Sequence, residues 1–157
     1  MHQFPVVREL LLQTVVKRYA NKLPWIRDTR AARLSAQLPF TQRLKARVIG
    51  ALGASKLIRL AQQAGIQSNQ GFAGAYDFDR PHPAYATMLN AWLEQAASYL
   101  LLMVHPATHA SSNLAFGADR VEEYRVLSGD AFAAQLQQQG LQITRLSALL
   151  AHRDHKT

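Results

Sequence analysis

The 157-residue chain has no cysteine, which excludes a disulfide framework, a thiolate metal site and a cysteine nucleophile. It has no long apolar run: the longest, Leu100 to Val104, falls far short of the roughly 20 residues that span a bilayer. Near the start, Arg8, Glu9, Lys17 and Arg18 interrupt every candidate apolar core of a secretory leader. A cytoplasmic protein is the simplest reading of these absences. There is no G-x-S-x-G elbow, glycine-rich phosphate loop, zinc-finger spacing or RNA-stacking aromatic pair. The short motifs of serine-nucleophile, nucleotide and nucleic-acid chemistry are therefore missing. Charge is scarce too. With 18% charged and 48% hydrophobic residues, the chain is neither a disordered tail nor a charge-rich coiled coil. Its length suits one domain with a sizeable core over 1–150, followed by a polar tail over 151–157.

The charge that is present is unevenly placed. Residues 1–60 hold twelve Lys or Arg and only two acids, Glu9 and Asp28, a balance of +10; the other 97 residues hold six basic and eight acidic groups, a balance of −2. Such a region attracts anionic partners through its field. Apolar residues separate the positive ones, which is also the pattern of solvated outer helix faces. A face that meets a partner and a plain solvated surface both fit; nucleic acid is not expected.

Hydrophobic spacing predicts alternating helices and strands. Pro5 opens a helix in which Val6, Val7, Leu10, Leu11 and Val15 recur as far as about Tyr19, and Asn21 and Pro24 stop it. Leu23 to Arg27 reads as a short buried strand ending at the polar pair Arg27–Asp28. Helices follow over about Ala31–Leu38 and Thr41–Ala64, the second closed by Gly65. Phe72 to Phe78 reads as a strand or an active-site loop. After Pro81 and Pro83, a helix over Ala84–Ser98 carries the stripe Tyr85, Met88, Leu89, Trp92 and Leu93. Tyr99 to Val104 has no alternation, as in a parallel strand covered on both faces, and ends at His105–Pro106. Helices over Asp119–Leu127 and Asp130–Gln139 follow, with Ser128 capping the second. Gly140 closes it, Leu141–Thr144 reads as a strand, and Ser147 caps a last helical stretch. This is the rhythm of an α/β fold with parallel strands. No strand precedes His2, so the few strands make either an open sheet or the later part of a barrel.

His105 is the strongest candidate for chemistry. At the exit of a buried strand an imidazole can exchange a proton near neutral pH or bind a metal, although a loop histidine that only ends the strand has the same sequence. His109 is separated from it by Pro106, which argues against one helical turn carrying both. Arg27, at another strand exit, can hold an anionic or polyhydroxyl substrate with its fork of donors, or pair with Asp28. Asp77 and Asp79 flank Phe78 and can supply a carboxylate ligand, a general base, or only loop caps. His82, His152 and His155 have no comparable support.

Several segments, in order, resemble the YdjC-like carbohydrate deacetylases. His2-Gln3-Phe4-Pro5 resembles the end of that family's histidine motif, and Leu23-Pro24-Trp25-Ile26-Arg27 its short strand ending in arginine. Gly71-Phe72-Ala73-Gly74-Ala75-Tyr76-Asp77-Phe78 is similar to a glycine-aromatic stretch of the hopanoid-biosynthesis-associated branch. Leu102-Met103-Val104-His105-Pro106 is similar to the strand closing in His-Pro, although the glycine usual next is Ala107. Arg120 to Leu127, then Gly140-Leu141-Gln142-Ile143, resembles the closing helices and strand.

The resemblance implies a partial distorted (β/α) barrel with parallel strands, lacking its N-terminal half, because the family's paired aspartates and earlier histidines have no counterpart here. It implies a divalent metal, Mg2+ or Zn2+, with His2 at it, and His105 as an acid/base or substrate-contacting group. The activity implied is removal of an acetyl group from an N-acetylated carbohydrate or glycolipid. Expected partners are that substrate and either the upstream half of the same protein or a second copy. The alternative is a non-catalytic α/β domain that binds a partner through the basic first 60 residues, or an inactive remnant.

Overall fold

The computed structural model describes residues 5–21, 23–30, 44, 54–76, 78, 83–96, 99–110 and 117–149. Helix α1 spans Pro5–Arg18, α2 Ala54–Gln63, α3 Tyr85–Leu93, α4 Gly117–Leu127 and α5 Asp130–Gln138. Strand β1 is Phe72–Ala73 and β2 is Leu101–Leu102. The two strands pair in parallel, with Phe72 opposite Leu101 and Ala73 opposite Leu102. One parallel bridge joins Ile26 to Ser68. Among the described residues no helix is long and apolar enough to cross a membrane.

Sequence periodicity places the helices, although the one expected to run on to Ser98 ends at Leu93. α1 starts at Pro5, whose missing N–H costs nothing in a first turn. The stripe Arg8, Leu12 and Val15 turns toward α2, where Leu12 packs with Leu57, Ala61 and Ile66. α2 ends where Gly65 takes a φ of +74°. The Ile66 amide then bonds back to the Ala61 carbonyl at 2.8 Å, satisfying an orphan carbonyl of the last turn. Gly140, at φ +63°, closes α5 in the same way, with Leu141 N–H donating to the Leu136 carbonyl at 2.8 Å. The second and larger core gathers Tyr76, Tyr85, Met88, Leu89, Trp92 and Leu93, with Phe132 and Leu136 of α5 against it. Burial of such side chains contributes about 2 kcal/mol each before entropy is counted.

The strands are where the sequence misleads. The expected partial (β/α) barrel is not present among the described residues: they are mostly helical, and the sheet has two strands of two residues and does not close. Barrel closure needs longer, staggered strands. The backbone shows why these stop. Gly71 at φ +94° and Gly74 at φ +89° bracket β1, and Tyr99 adopts φ +69°, a left-handed conformation that cannot belong to a strand. The run expected to start at Tyr99 therefore starts two residues later. It is not covered on both faces either, since Leu101 and Leu102 are half-buried and Val104 is exposed. The segment Leu23–Arg27 contributes only the bridge at Ile26. Leu141–Thr144 is not a strand, and Ile143 there is 71% exposed. Gly129, not Ser128, is the N-cap of α5; the Ser128 hydroxyl donates to the Tyr124 carbonyl. Ser147 lies within the helical stretch 146–149 instead of capping it. The helix expected over 31–38 and most of 41–53 lie outside the described residues.

Candidate functional site

Two short segments end close together at the α4 side of the larger core. One is β1 running on to Tyr76 and Phe78; the other is β2 running on to His105. The ladder itself continues one bond past β2, from Met103 N–H to the Ala73 carbonyl at 3.0 Å. Beyond it, α4 takes over. Glu123 is fully buried and accepts from the His105 backbone N–H through Oε2 and from the Tyr76 hydroxyl through Oε1 at 2.8 Å. Arg120, one turn earlier on the same face, donates its Nε–H to the His105 carbonyl at 3.0 Å. Its own carbonyl accepts from Ala107 N–H at 3.0 Å.

The imidazole of His105 is half-buried and lies nearly perpendicular to the Phe78 ring, 5.5 Å away between centroids. Phe78 in turn lies 4.4 Å from the Tyr76 ring. Nδ1 of His105 and the hydroxyl of Tyr85 are buried without a hydrogen-bond partner among the described residues. Burial pushes the Tyr76 phenol well above its ordinary value of 10.0, and its bond to Glu123 adds to the shift. Burial raises Tyr85 as well, with the Glu123 charge second.

These shifts carry a testable sign. Both folded-state values lie above the unfolded one, so the stabilisation is whole below pH 10 and is lost as pH rises further. We expect no phenolate absorbance from Tyr76 or Tyr85 until alkali unfolds the protein. Difference spectra against Tyr76→Phe and Tyr85→Phe check this; ionisation of either phenol in the folded state would contradict it.

A second polar knot fixes the bridge segment. Asp28 is buried, and its carboxylate takes Nε and Nη2 of Arg30 at 2.9 and 2.7 Å. Asn69 accepts from Asp28 N–H at 2.7 Å and donates to the Asp28 carbonyl at 2.9 Å. The partner of Asp28 is therefore Arg30, not Arg27. Arg27 is exposed, with its guanidinium 5.5 Å from the Phe72 ring centroid. Of the residues predicted from sequence, His105 and Arg27 are described, and they do not share a hydrogen bond. His2 and Asp77 lie outside the described residues, as do Asp79 and His82. His109 is exposed and bonds Thr108. A groove of about 480 Å3 between α3, α4 and α5, lined by Leu89, Asn90, Val126, Phe132 and Gln135, contains none of the predicted site residues.

Arg120, Glu123 and Tyr76 are the site residues that sequence reading did not single out. The available signal was the spacing of Arg120 and Glu123 on one helical face.

The described residues do not fit the divalent ion that the resemblance implies. Among them no group of three or more His, Cys, Asp or Glu side chains is placed to hold a metal. Both oxygens of Glu123, the carboxylate at His105, already accept hydrogen bonds. The expectation of a metal-binding site is corrected to that extent.

The geometry is that of a histidine held at the end of a short parallel ladder by an acid and a base from one helix. The chain belongs to the YdjC-like protein family, whose model matches residues 1–138. That match runs over nearly the whole chain. It corrects the narrower expectation of a C-terminal portion alone, closest to the hopanoid-associated branch. No curated protein matches the chain, and no solved structure matches it.

Proposed function

We propose that this chain works as a binding domain of the YdjC-like family, taking an acidic, amphipathic helical segment of a partner protein on α1 and the basic first 60 residues. One observation carries this reading: the outer arc of α1 opens with three exposed aliphatic side chains and ends, past Thr14, in two basic ones. Leu10 is 63%, Val7 41% and Leu11 37% exposed, and Lys17 and Arg18 are exposed at the end of the helix. At about 100° per residue these five share one arc, turned away from the Arg8–Leu12–Val15 stripe. Contiguous apolar groups on a helix are what a partner helix covers. The +10 balance of residues 1–60 favours an acidic partner and makes a second copy of the same face repel itself. The arc carries no aromatic side chain on which nucleobases could stack.

The test is fluorescence anisotropy with a labelled Leu/Glu amphipathic peptide, against a Leu/Lys peptide and a single-stranded oligonucleotide. Binding of the acidic peptide that weakens with salt supports the reading. We expect Leu10→Asp to weaken it by about tenfold or more while changing unfolding stability by less than about 0.5 kcal/mol. Absence of acidic-peptide binding, or tighter binding of the oligonucleotide, contradicts it.

A second reading is hydrolysis of the acetamide bond of an N-acetylated carbohydrate or glycolipid, favoured by the fixed backbone of His105. Water would add to the acetyl carbon and the carbon–nitrogen bond would break, leaving acetate and a free amine. The imidazole would carry the proton from that water to the departing nitrogen. Arg27 would contact the substrate. Acetate release from chitin oligosaccharides, with Mg2+ or Zn2+ supplied, tests it: a drop of about 100-fold in His105→Ala supports the reading, and unchanged release removes it.

A further inference from the structure

The His105 segment has an unusual anchorage. Past β2 its backbone no longer belongs to a strand ladder, yet neither polar atom of the His105 backbone is left to solvent. The N–H is taken by Glu123 and the carbonyl by Arg120, two side chains three residues apart on α4. The next bond along, from Ala107 N–H, goes to the Arg120 carbonyl. α4 therefore grips the segment at three successive points.

The contacts also close into a ring through the aromatic residues. Glu123 holds the Tyr76 hydroxyl, the Tyr76 ring packs on Phe78, Phe78 lies nearly perpendicular to the imidazole, and the histidine's own N–H returns to Glu123. Backbone position and ring plane are thus set from the same carboxylate. One of its oxygens fixes where the histidine sits; the other fixes the aromatic pair that limits how the imidazole turns. Glu123 is fully buried, and burying a carboxylate costs free energy unless its bonds compensate.

We infer that Arg120 and Glu123 are positioning residues for the His105 imidazole, so that α4, not the β1–β2 ladder, sets its orientation. The inference deepens the hydrolytic reading and rests on it only for what the imidazole does, not for where it is held. Arg120 and Glu123 act through His105, and no substrate contact is assigned to either.

The experiment is NMR of the full chain with labelled histidine, the His105 ring signals being assigned by their loss in His105→Gln. In the wild-type protein the ring protons are expected to carry a ring-current shift from Phe78, 5.5 Å away between centroids, which Phe78→Leu should remove. We expect Glu123→Ala and Arg120→Met each to abolish that shift. We expect Glu123→Gln to retain much of it, because an amide oxygen can still accept from the His105 N–H while its NH2 donates to the Tyr76 oxygen. Glu122→Ala, which breaks only the exposed pair with Arg125 on the same helix, is expected to leave the shift unchanged. Should Glu123→Ala fail to fold, Arg120→Met decides, since its side chain is only half-buried. A wild-type ring shift in Arg120→Met overturns the inference and returns the anchoring role to the ladder. Acetate release separates the two ideas. If His105→Ala releases acetate like wild type while Arg120→Met loses the ring shift, the hydrolytic reading falls and the positioning stands. If His105→Ala is inactive and Arg120→Met keeps the shift, the reverse holds.

Discussion

Gly74→Ala is expected to destabilise the protein by on the order of 3 kcal/mol, combining left-handed strain with overpacking. Gly74 has a φ of +89°, where a side chain strains the backbone. A Cβ there would overlap the Met103 carbonyl oxygen and lie 2.9 Å from the Met103 nitrogen. Those are backbone atoms of the neighbouring segment, and the Met103 nitrogen is already bonded to the Ala73 carbonyl. No rotamer change relieves the overlap; the two segments must move apart. Gly140 is the control. It has a similar φ of +63°, but a Cβ there meets nothing within 4 Å, so Gly140→Ala should cost only about 1 kcal/mol. Urea unfolding of both variants checks the difference. Equal losses would show that conformation alone, and not the approach to Met103, requires glycine at 74.

The second large effect is at Glu123. Glu123→Ala removes the acceptor for the His105 N–H and the Tyr76 hydroxyl at a fully buried place, and leaves a cavity. We expect a loss of about 3 kcal/mol. Tyr76→Phe removes one bond and should cost about 1 kcal/mol. In the double variant the losses should fall short of additive, because both changes delete the same bond. Additive losses would mean that Glu123 and Tyr76 stabilise the protein independently. The exposed Glu122–Arg125 pair, three residues apart with Nη2 and Oε1 2.7 Å apart, is the contrast. Hydrogen bonding to Arg125 holds the Glu122 carboxyl below its ordinary value, so its small contribution is present near neutral pH and is lost on acidification through that lowered value.

The helices were legible in the sequence because their signals are local. Pro5, Gly65 and Gly140 mark ends by backbone chemistry alone, and the Tyr85–Met88–Leu89–Trp92 stripe marks a buried face by spacing alone. The strands were not legible, because what limits them is conformational. An apolar run such as Tyr99–Val104 looks like a long strand until Tyr99 turns left-handed and Glu123 takes the N–H of His105. The latter is a contact across 18 residues that no local pattern encodes. The same holds for the site. His105 stood out as a polar group after an apolar run. Arg120 and Glu123 read as ordinary charges on a helix, and their meaning comes from the segment they face. Pairing with Asp28 was one of the roles open to Arg27, its neighbour, but the Asp28 carboxylate is matched by Arg30, two residues on, which reaches it with both Nε and Nη2.

The family places the chain among YdjC-like proteins, and α1 turns Val7, Leu10 and Leu11 outward, the surface that the proposal assigns to a partner. The most direct test of that account is to titrate the isotope-labelled full chain with the acidic Leu/Glu peptide and follow its backbone amide signals. The account predicts saturable shifts concentrated at Val7, Leu10, Leu11, Lys17 and Arg18, and absent in Leu10→Asp. Shifts confined to the surroundings of His105, or none at all, would contradict it.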